Sequence, residues 1–136
     1  MLKNECILIL GGDMRQIEVA KKINNKGFNV CLVGFDQVTD VSVKRMKKNV
    51  ETIDYSKIDA IVLPVSGIDL DGIIDAPFSK ETISLSIDSL AQTPRHCLLY
   101  TGINTPYIEN IATSTNKKVI PLFQRDDIAI LNSIPT

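Results

Sequence analysis

The sequence predicts an α/β domain: a flavodoxin-like or Rossmann-like three-layer sandwich around a mostly parallel five-stranded sheet. Three observations predict it. Continuous apolar runs such as Cys6-Ile7-Leu8-Ile9-Leu10 mark strands covered on both faces. Segments with helical spacing separate such runs, as where Ile17, Ala20 and Ile23 share one face and Lys21, Lys22 and Lys26 lie outside it. The chain of 136 residues is the length of one ordinary domain, and 44% of it is apolar, enough to fill one core.

The elements follow in order. The first strand is Cys6 to Leu10, stopped by Gly11-Gly12, and the helix after it ends near Gly27. Phe28 to Val33 reads as the second strand and Asp59 to Val65 as the third. Ser66 to Pro77, with two glycines and three aspartates, breaks the rhythm. Thr82 to Ile87 then alternates with period two, so an inserted flap or small hairpin is expected after the third strand. A short helix follows over Ile87 to Ala91. Cys97 to Tyr100 is the fourth strand, ending at Gly102. Thr105 caps a helix with Pro106 at its first position, where a missing N–H costs nothing, and Ile108, Ile111, Ala112 and Thr115 form its face. Lys118 to Phe123 is the fifth strand, and Asp126 to Leu131 begins another helix, with Asp126 or Asp127 as its cap. A strand order of 2-1-3-4-5 puts the switch point between the first and third strands, lined by Gly11 to Gln16 and Val65-Ser66-Gly67.

Composition excludes several classes. A net charge of −1 offers no field for nucleic acid, and the cluster Lys44-Arg45-Met46-Lys47-Lys48 reads as a solvated face. No apolar run approaches the ~20 residues of a membrane span, so a soluble, cytoplasmic chain is expected. Cys6, Cys31 and Cys97 form no CxxC pair and read as small core hydrophobes in a reducing compartment. His96, the one histidine, starts the fourth strand, the wrong end of the sheet for a site. No nucleophile triad or metal cluster can be assembled.

The turn Gly11-Gly12-Asp13-Met14-Arg15-Gln16 carries the chemistry that remains. It misses the GxGxxG dinucleotide pattern, because Asp13 and Gln16 stand where glycines belong, although Asp36 sits where a ribose-binding acid could. Asp13 with Gln16 has the spacing of a capping box. Arg15 is a cation in the first turn of a helix, where the macrodipole disfavours one. A ligand carboxylate or an interdomain contact would reverse that penalty, and so would an ion pair with Glu18 or Asp126.

Four motifs together resemble the N-terminal domain found in the A subunits of the dipicolinate synthase family. They are Ile9-Leu10-Gly11-Gly12-Asp13-Met14-Arg15-Gln16, Leu32-Val33-Gly34-Phe35-Asp36-Gln37, Ile61-Val62-Leu63-Pro64-Val65-Ser66 and Phe123-Gln124-Arg125-Asp126-Asp127-Ile128-Ala129-Ile130. The closing Asn132-Ser133-Ile134-Pro135-Thr136 fits the same resemblance and leads, in that family, into a second domain.

The resemblance implies a flavodoxin-like domain facing a Rossmann domain that binds NAD or NADP. That cofactor domain is expected after Thr136, so no cofactor is expected on residues 1–136, which alone would be inactive. The implied partner is a flavoprotein-like B subunit, and the implied reaction oxidises a dihydrodipicolinate-type precursor from the lysine pathway to dipicolinic acid. The implied setting is the mother-cell cytoplasm of a sporulating bacterium. The turn would then face the interdomain cleft. Arg15, helped by Gln16 and Ser66 and framed by Gly12 and Asp13, would anchor a carboxylate of a cyclic dicarboxylate substrate. A structural or subunit-contact domain and an independent nucleotide binder are the rival readings; a homo-oligomer is compatible with each.

Overall fold

A computed structural model describes residues 6–121. Five strands, β1 (Cys6–Leu10), β2 (Asn29–Val33), β3 (Ile58–Val62), β6 (Leu98–Thr101) and β7 (Lys118–Pro121), form one sheet in the order β2-β1-β3-β6-β7. Every neighbouring pair in it is parallel. The reversal of order between β1 and β3 is the expected switch point. Between β3 and β6, β4 (Ile73–Ile74) and β5 (Ile83–Ser84) make the expected antiparallel hairpin.

Alternation of side chains along the strands builds two cores, one per face. Ile7 and Ile9 of β1 pack with Ala60, Val62 and Tyr100 beneath α1 (Met14–Asn25), which contributes Ile17, Ala20 and Ile23. Leu8 and Leu10 point the other way, with Ile61 and Leu99, under α2 (Ile87–Ala91) and α3 (Pro106–Thr115). On α3, Ile108, Ile111 and Ala112 are buried and Thr105 caps the helix, its Oγ1 accepting from the Ile108 N–H at 3.4 Å.

The boundaries differ from the sequence reading where long-range bonding decides them. β3 ends at Val62 rather than Val65: Leu63 N–H makes the last bond to β6, reaching Tyr100 O at 2.7 Å, and Pro64 has no N–H to continue. The alternation over Thr82 to Ile87 yields only two ladder residues. Ile83 and Leu85 are buried as the period demands, but Ser86 caps α2 and turns Ile87 out to 42% exposure. The second crossover, residues 34–57, holds no α-helix, only short 3-10 turns at Val41–Val43, Val50–Thr52 and Tyr55–Lys57.

Part of that crossover covers the open edge of β2. Leu32 N–H donates to Met46 O at 2.7 Å, and Lys48 N–H to Leu32 O at 2.8 Å. Lys47 Nζ donates to Val38 O at 2.8 Å, and Met46 is buried. The basic run is therefore an edge cover whose lysines discourage a further strand, rather than only a solvated face. The expected end of the fifth strand at Phe123, the last helix and its caps Asp126 and Asp127 lie outside the described residues.

Candidate functional site

The turn after β1 is built by two glycines with positive φ, Gly11 at 68° and Gly12 at 106°. Gly11 N–H closes onto Val33 O at 2.8 Å, tying the turn to the end of β2. Gly12 N–H donates to Asp75 O at 2.8 Å, which fastens the inserted hairpin over the turn. Asp13 then caps α1 with extended backbone, its Oδ1 accepting Arg15 N–H at 3.0 Å.

Asp13 caps the helix, but the capping box does not form: Gln16 N–H donates to the Asp13 backbone O rather than to its side chain. Gln16 does not return its side chain to the cap; it is buried, and its Nε2 donates to Leu63 O at 3.3 Å. The reason is position: Gln16 lies on the inner face of α1 beneath the end of β3, where an unmatched carbonyl is worth more to satisfy than a solvent-facing N–H. The helix is thereby pinned to the strand across the switch point.

Arg15 takes a partner from the cap rather than from Glu18. Its guanidinium grips Asp13: Nε lies 3.1 and 3.2 Å from Oδ1 and Oδ2, and Nη2 lies 3.0 Å from Oδ2. Glu18 instead sits 3.5 Å from Lys21. The carboxylate that physics requires beside a cation at a helix N-terminus is thus supplied two residues earlier in the chain. Arg15 holds the Asp13 carboxyl below the usual carboxylate range.

That depression makes a stability prediction. A carboxyl lowered by folding adds stability above its unfolded value of about 3.9, and the contribution is lost as pH falls through its folded value. Asn caps helices as well as Asp does, so Asp13→Asn keeps the cap and removes the charge. Because the pair is exposed, neutral-pH stability should fall by no more than about 1 kcal/mol. Urea melts from pH 7 to 2 should show the variant losing less stability below about pH 4 than the parent does.

The five residues expected to form the site, Gly12, Asp13, Arg15, Gln16 and Ser66, line one cleft of about 270 Å³ at the carboxyl ends of β1 and β3. Pro64 and Val65 form its β3 wall, and Asp75 and Ile103 close it from the hairpin and the turn after β6. Asp75 and Ile103 escaped the sequence reading, since each reaches the cleft from another βα unit. The aspartates of the 66–77 segment were the available signal for Asp75. Of its companions, Asp69 acts locally, its Oδ1 accepting Asp71 and Ile73 N–H, both at 2.9 Å, and so shapes the hairpin turn.

His96 lies at the amino end of the sheet, its Nε2 2.6 Å from Asp59 Oδ1, away from the cleft. Two N–H groups of the turn already have partners: Gly12 N–H donates to Asp75 O and Arg15 N–H to the Asp13 carboxylate. Among the described residues no group of acids, His and Cys is arranged for a metal ion, and no helix is long and apolar enough to cross a membrane.

Fold and cleft together define a doubly wound, all-parallel α/β domain whose ligand-side crevice sits at the β1/β3 switch point. The chain belongs to the family described as the N-terminal domain of the dipicolinate synthase A subunit, whose model matches residues 6–123. It is 43% identical over 136 residues to the A subunit of dipicolinate synthase of Bacillus subtilis (strain 168), covering all of this chain and 46% of that protein. The crystal structure of the A subunit of dipicolinate synthase from Bacillus halodurans superposes with a TM-score of 0.84 at 40% identity, over 99% of this chain and 46% of the other. The crystal structure of the corresponding Bacillus subtilis chain matches with the same TM-score at 43% identity, over 99% and 45%. The chain therefore spans about half the length of the relatives it matches.

Proposed function

We propose that residues 1–136 are the substrate-side domain of a two-domain dipicolinate synthase polypeptide, which helps oxidise a dihydrodipicolinate-type precursor to dipicolinic acid during sporulation. The observation that carries this reading is the convergence of Gly12, Asp13, Arg15, Gln16 and Ser66 on one cleft at the switch point. The names of the relatives support the enzyme, and the share of their length outside the match leaves room for a domain that binds NAD or NADP. In this reading a B subunit completes the enzyme in the mother-cell cytoplasm.

Arg15 is a cation lining the cleft, at the rim of the α1 N-terminus, and 62% of its side chain is exposed. An exposed ion pair is worth about 0–1 kcal/mol, so a substrate carboxylate can take the place of Asp13 on the guanidinium at little cost. The fork of Arg then offers a bidentate grip. Gln16, pinned to Leu63, sets where α1 begins, and Ser66 brings a hydroxyl to the opposite wall.

In the full-length protein with its partner, Arg15→Ala should raise KM for the dicarboxylate about tenfold or more while leaving cofactor affinity unchanged. Arg15→Lys should recover only part of that loss, since an ammonium has no fork. The exposed apolar residues Val65 and Ile103, which line the cleft, and Met14 at the start of α1 favour a second reading as a subunit-contact surface. If Arg15→Ala weakens assembly and leaves KM untouched, that reading replaces the first. NADPH titrated into the isolated chain should give no binding signal; a micromolar response would overturn the assignment of the cofactor to the remainder of the full-length protein.

A further inference from the structure

Two of the three cysteines meet. Cys6 begins β1 and Cys31 lies within β2, on the same face of the sheet, and their sulphurs are 3.6 Å apart. Both residues are half-buried, whereas Cys97 is buried. The crossover after β2, residues 34–57, holds no α-helix but only short 3-10 turns, and its Val50 and Ile53 pack against the same core as the two cysteines. A small solute can reach such a place far more readily than a helix-covered core. The surroundings also favour a thiolate on one sulphur. The contact between the two sulphurs, helped by the charge of Lys48, lowers Cys31 and raises Cys6. Burial pushes Cys97 up to about 11.

We propose that Cys31 and Cys6 form a thiol–disulfide exchange pair, with Cys31 as the attacking thiol, Cys6 as the resolving thiol and a low-molecular-weight disulfide as the oxidant. Cys31 Sγ attacks one sulphur of the solute disulfide, forming a mixed disulfide and expelling one solute thiolate, which takes up the proton that Cys31 gave to solvent. Cys6, losing its proton, then attacks Cys31 Sγ and expels the second thiolate. Two protein thiols are oxidised and one solute disulfide is reduced to two thiols.

The closing step has a structural consequence. Cys6 stands opposite Asn29, and Cys31 opposite Leu8, so the pair is diagonal across the ladder. Ideal strand spacings put their α-carbons about 8 Å apart, beyond the roughly 7 Å that a disulfide bridges without backbone movement. The start of β1 must therefore shift to close the bond. It is placed to do so, because Cys6 N–H leaves the ladder for Asp59 Oδ2 at 2.9 Å and the register against β3 slips between Cys6 and Ile7. Oxidation would thus be coupled to the first residue of the strand that carries the glycine turn at its other end.

The test is incubation of the full chain with oxidised glutathione, followed by denaturing alkylation, intact mass and peptide mapping. The expected product has lost two hydrogen atoms, carries a Cys6–Cys31 linked peptide and keeps Cys97 alkylatable. Cys6→Ser should stop at glutathione on Cys31, and Cys31→Ser should slow glutathione consumption about tenfold. Melting curves of both variants check that they fold. Three alkylatable thiols after prolonged incubation, or glutathione consumed at an unchanged rate by folded Cys31→Ser, would overturn the proposal. Should a variant fail to fold, the linked peptide of the parent chain decides: its absence refutes the pair.

Discussion

Gly102→Ala is expected to cost about 3 kcal/mol or more, read as a lower urea midpoint at unchanged slope. A β-carbon at Gly102 would overlap the Val65 backbone, lying 2.7 Å from its carbonyl carbon, with its Cα and O closer still. Backbone cannot step aside as a flexible side chain can. The overlap falls where the ends of β3 and β6 are drawn together, since Ile103 N–H donates to Val65 O at 3.0 Å. Relief requires that bond to break, and Val65 and Ile103 both line the cleft. The stability loss should therefore come with a raised KM in the full-length protein. A loss below about 1 kcal/mol would mean that the two strand ends separate easily.

Gly11→Ala is expected to cost roughly 3 kcal/mol, for two separable reasons. Its φ of 68° is left-handed, which disfavours a residue with a β-carbon by about 1–2 kcal/mol. The added carbon would also stand 2.8 Å from both Asp75 O and Ile74 Cγ2, forcing the hairpin off the turn. Hydrogen exchange distinguishes the two effects. Strain alone lowers protection uniformly, whereas a lifted hairpin should raise exchange selectively at Gly12, whose N–H is held by Asp75, and across Ile73–Ser84.

The legible parts of the fold are those where one segment's pattern reports its own burial. β1 reads correctly because five apolar residues in a row need cover on both faces, and α3 because Thr105-Pro106 and the Ile108/Ile111/Ala112 face are local signals. The strand order was not legible: no segment's own pattern says beside which strand β3 will lie, and a right-handed crossover fixes the hand rather than the order. The edge cover by Met46 and Lys48 was illegible: its bonds go to Leu32, and nothing in a basic run tells a solvated face from an edge strand. The two facing cysteines were missed likewise, because no spacing rule links residues 25 apart on neighbouring strands.

By itself the sequence determined the layers, the inserted hairpin and, given a 2-1-3-4-5 order, the place of the cleft, because periodicity and turn chemistry are short-range properties. Only the tertiary structure decided what each cleft residue does. Asp13 could have capped, met a ligand or paired; it caps and also holds Arg15, which removes the need for Glu18. Gln16 could have closed a capping box, yet it binds Leu63, 47 residues away. A polar side chain has several partners of similar worth, and which one it takes depends on which carbonyl the packed sheet leaves unmatched beside it.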